Sequence, residues 1–198
     1  MMVEVRERRV VAGNCEVHCL EAGPPGGQDI VLLHGMKFKA RTWQELGTLE
    51  VLAGAGKHAL ALDLPGFGAS PACAAAAGEV LADFLTQMRL TKPVLIGPSM
   101  GGRVALEFCL DHADRVGALV LVGAVGVQEN RERLSAVTVP ALIIWGGADT
   151  VSPLANGRLL HEKIAGSSFF VIDGAPHPCY LDQPVIWHRE LVSFLEKT

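Results

Sequence analysis

The chain has 198 residues, 49% of them hydrophobic and 19% charged, which is enough apolar material to close a core and argues against disorder. The formal net charge of −4 supplies no excess of Lys and Arg to hold nucleic acid or an anionic membrane. No apolar run reaches the ~20 residues of a membrane helix, and Met1–Val10 alternates charged and apolar residues instead of forming a signal core. The expectation is one cytoplasmic domain spanning residues 1–198, with its five cysteines as reduced thiols.

In chain order, Val3–Val11 and Cys15–Glu21 alternate apolar and polar residues around Ala12-Gly13-Asn14, predicting an antiparallel hairpin. From Ile30 onward the pattern changes to short, nearly continuous apolar runs: Ile30–Leu33, Ala59–Leu62, Val94–Ile96, Ala118–Val122, Ala141–Trp145 and Phe169–Ile172. Strands covered on both faces read this way. Helical patterns at 42–54, 79–89, 100–112, 154–165 and 183–196 lie between the runs, with Thr42 and Asp182 as expected N-caps. Strand and helix in alternation predict a doubly wound, mostly parallel α/β sheet. The alanine-rich stretch Ala72–Ala77 is expected to be a surface connection or a frayed helix start.

Ligands of an open α/β sheet bind where strands end, so the residues after each run carry the functional argument. After Val94–Ile96 comes Gly97-Pro98-Ser99-Met100-Gly101, a G-x-S-x-G turn between strand and helix that presents a serine hydroxyl above the sheet. After Leu33 comes His34-Gly35-Met36, whose Met36 N–H can join that of Met100 in an oxyanion hole; His34 itself is expected to be structural. Asp149 follows the run ending at Trp145, and His177 follows the last run between Pro176 and Pro178. Serine, aspartate and histidine stand in the order this architecture requires of a nucleophile, an orienting acid and a base. His161 and His188 fall inside helical patterns and His112 ends one, so all three are expected at the surface; Asp63 and Asp173 are the competing carboxylates. No His, Asp or Glu spacing suits a metal, and Gly54-Ala55-Gly56-Lys57 lacks the pattern of a phosphate loop, so no cofactor is expected.

These residues resemble the α/β-hydrolase superfamily through Leu33-His34-Gly35, Asp63-Leu64-Pro65-Gly66-Phe67-Gly68, the Ser99 elbow, Gly146-Gly147-Ala148-Asp149 and Gly174-Ala175-Pro176-His177. Thr42–Leu49 and His177–Asp182 look like the small CIB-type hydrolases, a resemblance that implies ester hydrolysis or acetyl transfer from lysine, and a protein partner. Met100-Gly101-Gly102 is more like general esterases.

Only about 18 residues separate Val122 from Ala141, too few for a helical lid beyond one short helix near Gln128–Ser135, so an open site for short acyl groups is expected. Met36, Lys37, Phe38, Met100, Val125, Val151 and Pro178 are expected at its rim. Lys37, Lys39 and Arg41 form a basic cluster, either solvated or facing an anionic part of a substrate, and Cys179 is a packed cysteine or a reactive thiol. The expected reaction is cleavage of a small-molecule ester by Ser99, with acyl transfer to another acceptor, or a binding role without catalysis, as the alternatives.

Overall fold

In the computed structural model, which describes residues 3–198, each apolar run is a strand, and the strands form one eight-stranded sheet. Met1 and Met2, at the start of the segment read as lacking a signal core, lie outside the described residues. The hairpin is β1 (Val5–Ala12) and β2 (Cys15–Ala22), followed by β3 (Asp29–Leu32), β4 (His58–Leu62), β5 (Val94–Pro98), β6 (Ala118–Val122), β7 (Ala141–Gly146) and β8 (Ser168–Ile172). The order across the sheet is β1-β2-β4-β3-β5-β6-β7-β8; β1 and β4 run antiparallel to β2, and every other pairing is parallel.

Alternate residues of the central strands feed two separate cores, one on each face. Val31, Leu95, Leu119 and Ile143 pack with Phe84 of α3 (Ala77–Gln87), Leu106 of α4 (Ser99–Asp111) and Leu160 of α5 (Leu154–Lys163). Ile30, Ile96, Val120 and Ile144 pack on the other face with Trp43 of α1 (Ala40–Glu45), Leu49 of α2 (Thr48–Gly54) and Trp187 of α7 (Pro184–Leu195). Tyr180, in the short α6 (Cys179–Asp182), stacks on Trp43 with ring centroids 5.0 Å apart and so ties the chain after β8 to this second core. No helix among the described residues is long and apolar enough to cross a membrane.

Several boundaries differ from those expected. The helix expected over 42–54 is two, broken at Gly47, whose φ of +80° admits a left-handed turn. Thr42 lies inside α1 instead of capping it, because the Ala40 N–H is already taken by the distant Asp63 side chain. Asp182 ends α6, and α7 is instead entered through Gln183 with Pro184 in the first turn, where its missing N–H costs nothing. Among the described residues the connection from β6 to β7 holds only the 3₁₀ turn Arg131–Ala136 and no α-helix, so no helical lid is built there. Cys15 and Cys73, expected as thiols, are joined in a disulfide that fastens the start of β2 to the segment before α3; Cys19, Cys109 and Cys179 are free and buried.

At the antiparallel end of the sheet, His58 on β4 lies between two carboxylates, with Nδ1 2.8 Å from Asp29 and Nε2 2.8 Å from Glu21. Burial pulls the His58 pKa down, but the two hydrogen bonds outweigh it and the net shift is upward; Glu21, also bound by Arg8, is shifted downward against its own burial. A raised histidine pKa gives stability that is complete below the unfolded value and lost as pH rises through the folded one. A lowered carboxylate pKa gives stability that is lost as pH falls through it. The cluster therefore contributes most between the two. His58→Gln should lower Tm most in mildly acidic buffer and least at alkaline pH, a convergence that melting curves from pH 5 to 9 would show.

Candidate active site

The strand ends gather five loops over one side of the sheet. At the end of β5 the chain turns directly into α4 at Ser99, whose φ is +50°. A non-glycine residue in that region costs about 1–2 kcal/mol, so the turn is held there by its surroundings. Gly97 makes the turn possible, because a Cβ at that position would run into the Gly101 carbonyl. The Met100 N–H is in the first turn of α4, among the donors that lack an intrahelical acceptor.

Asp149 and His177 come from the ends of β7 and β8. One carboxylate oxygen of Asp149 accepts the N–H groups of Val151 (2.9 Å) and Ser152 (2.8 Å), which leaves the other for His177 Nδ1 at 2.8 Å. Asp149 is buried, so this pair is shielded from water on the acid side. His177 Nε2 is left for the cavity that both His177 and Ser99 line. No direct hydrogen bond joins Ser99 to His177 among the described residues; contacts of this kind often tighten only with substrate in place.

The cavity measures about 410 Å³ and is lined by Gly35, Met36, Phe38, Ser99, Met100 and Val125, together with Lys37, Val151, His177 and Pro178. Every residue expected at the rim is thus brought to one place. Met36 (66% exposed) and Val151 (60%) stand open to solvent at its mouth. The basic cluster divides: Lys37 lines this cavity, whereas Lys39 and Arg41 face a separate depression beside Asp63, where Arg41 pairs with Glu7 at 3.4 Å.

Other expectations sort equally clearly. His34 is buried. Its Nδ1 donates to the Gly35 carbonyl at 2.8 Å and its Nε2 accepts the Leu64 N–H at 3.0 Å, while burial holds its pKa down and keeps the ring neutral. Asp173 is exposed, and Asp63 pairs with His18 at 2.9 Å and not with His177. His188 is not a surface residue as expected: it is half-buried on α7, bonded to Thr48 at 2.9 Å, and burial lowers its pKa. Burial pushes the Cys179 thiol up to about 12, so it is a packed cysteine and not a reactive one.

Two supporting residues carried no chemical signal in the sequence. Ser152 holds Asp149 through its N–H and ties down the Ala124 carbonyl with its hydroxyl at 2.7 Å. Gly123, at the end of β6 with φ +52°, backs directly on the Asp149–His177 pair: a Cβ there would lie 3.0 Å from Asp149 Oδ2 and 3.2 Å from His177 Nδ1. Its place immediately after an apolar run, like that of the other site residues, was the one available clue.

The sequence pattern of the alpha/beta hydrolase fold matches residues 30–137. The human protein described as "Putative protein-lysine deacylase ABHD14B" is 36% identical over 206 aligned residues, covering 98% of this chain and 97% of its own. Human "Protein ABHD14A" is 34% identical over 174 residues, covering 85% of this chain and 64% of its own. Among solved structures, a predicted CIB-like hydrolase from Thermoplasma acidophilum superposes with a TM-score of 0.95 at 24% identity, covering 99% of this chain and 100% of that one.

Gly123→Ala should both strain the backbone, by about 1 kcal/mol, and push Asp149 and His177 apart. The downfield proton resonance of the imidazole N–H bonded to Asp149 should shift or vanish in this variant; an unaltered resonance would show that the pair does not depend on Gly123.

Proposed function

The chain belongs to the α/β-hydrolase family, and on that premise we propose that Ser99, His177 and Asp149 form a catalytic triad that cleaves short-acyl esters through an acyl-enzyme. The observation that carries this reading is the His177–Asp149 pair, bonded through Nδ1, whose histidine lines one cavity together with Ser99. His177 Nε2 takes the Ser99 proton as Oγ bonds to the acyl carbon and the carbonyl electrons move to oxygen. The N–H groups of Met36 and Met100 hold that oxyanion. Asp149 fixes the Nδ1–H tautomer and stabilises the imidazolium, which then hands its proton to the departing alcohol. Water, activated by the same histidine, returns the serine and releases the acid. Carboxylic-ester hydrolysis in the cytoplasm, with a small molecule as substrate and no cofactor, is the specific form of the proposal.

A second reading has its own support: removal of short acyl groups from protein lysines. It is favoured by the 36% identity to the ABHD14B protein and by the open mouth between Met36 and Val151, where a side chain projecting from a protein surface can enter. The Cys15–Cys73 bridge bears on location, since disulfides are rare in a reducing cytoplasm; trapping the thiols in intact cells tests the compartment.

Two results are expected from a panel of p-nitrophenyl esters and acyl-lysine peptides. Ser99→Ala should lower kcat by about 10⁴-fold or more with the fold intact, and substantial residual turnover would remove Ser99 as nucleophile. Among the esters, acetyl and butyryl should be preferred, because the short β6–β7 connection builds no deep acyl channel; turnover that climbed steadily to long chains would contradict that assignment.

A further inference from the structure

The turn that carries Met36 has little to hold it from within. Inside it, the Phe38 N–H bonds the Gly35 carbonyl at 3.0 Å. Its two ends are fixed from outside, by adjacent residues at the end of β4. At the front, the Leu64 N–H bonds His34 Nε2 at 3.0 Å, and the same ring donates to the Gly35 carbonyl. At the back, Asp63 Oδ1 accepts the Ala40 N–H at 2.6 Å, where α1 begins. Asp63 is 2% exposed. Its Oδ2 accepts from His18 Nδ1 on β2 at 2.9 Å and from the Ala69 N–H at 2.8 Å. Ser70 completes the frame: its hydroxyl donates to the Asp63 carbonyl at 2.7 Å and accepts the His18 N–H at 2.8 Å. One buried carboxylate thereby joins β2, the loop after β4 and the start of α1.

We propose that Asp63 is a positioning residue for the oxyanion turn, its carboxylate fixing the far end of residues 34–40 and so setting where the Met36 N–H points. The inference rests on the triad reading above. It implies an effect confined to one stage of the reaction. An oxyanion donor is engaged fully only in the transition state, so loosening the turn lowers kcat and leaves KM in place. A residue that merely stabilised the fold would lower the amount of active protein without altering that split in the folded fraction.

Ala40→Pro breaks the contact from the helix side. Ala40 is the first residue of α1, a position that tolerates proline, and Lys39 before it is extended at φ −152° and ψ 172°, the region a following proline requires. The substitution deletes the N–H that reaches Asp63 and sets the ring Cδ against the carboxylate, which must move off the turn, while the first turn of α1 accepts the proline. Active-site titration with a fluorophosphonate fixes the competent fraction, and p-nitrophenyl acetate serves as substrate. Ala40→Pro should turn over about tenfold more slowly, a misplacement effect, with KM within twofold of wild type. Ala40→Gly keeps the N–H and should lose far less.

Asp63→Asn is read by the same split and carries the test should Ala40→Pro not fold. It sets an amide N–H₂ against the Ala40 N–H in one orientation or the Ala69 N–H in the other, so the frame loses an acceptor either way, and kcat should fall in the same sense. An unchanged kcat in folded Ala40→Pro or Asp63→Asn, or a rise in KM alone, overturns the inference. Retained turnover in Ser99→Ala fails the triad reading instead, so the two failures are told apart.

Discussion

The site depends on how closely α4 approaches the strand that precedes it. With no side chain at Gly97 or Gly101, the first turn of α4 settles onto the end of β5 and against the His34 carbonyl; a Cβ on Gly101 would lie 2.7 Å from that oxygen. This contact forces Ser99 into its left-handed conformation and brings the free N–H groups at the helix start beside the Met36 turn. The remaining groups are arranged around a position that this contact has already set. Backbone packing does the positioning, and the strain at one serine is the cost.

Among the described residues three histidines meet carboxylates, and they differ in what the second ring nitrogen finds. His58 is bound on both sides, and His18 has Asp63 on one side and Glu7 3.9 Å away on the other. Only His177 of the three is bound by a carboxylate on one side while lining the cavity shared with Ser99. The same local interaction therefore serves as a strand clamp, as an anchor for a loop and, under the proposal, as an oriented base. The difference is one of access, which no spacing along the chain encodes.

That distinction also separates what could be read in the sequence from what could not. Buried parallel strands announce themselves because both faces must be apolar, so the strand ends, and with them Ser99, Asp149, His177 and the Met36 turn, were legible as positions. The convergence of Ser99, His177 and the Met36 turn on one cavity, with Asp149 behind His177, follows from the sheet order. Interactions between distant segments left no local trace. Thr42 looked like a helix cap because nothing nearby shows that Asp63, 23 residues beyond Ala40, supplies the acceptor. Cys15 and Cys73, 58 residues apart, gave no sign of pairing, and Gly123 gave no sign that two catalytic candidates rest against it.

The bare connection between β6 and β7 has a kinetic side. An enzyme with a lid turns over no faster than the lid can open, and its closed state chooses which second substrate meets the intermediate. A serine with no such cover sets its own pace by bond making and breaking. Under the proposed mechanism the acyl-enzyme on Ser99 would face bulk solution throughout its lifetime, and the fate of the acyl group would be a competition among dissolved nucleophiles, decided by their concentrations and reactivities. On that proposal, the choice of acceptor is delegated to the surroundings.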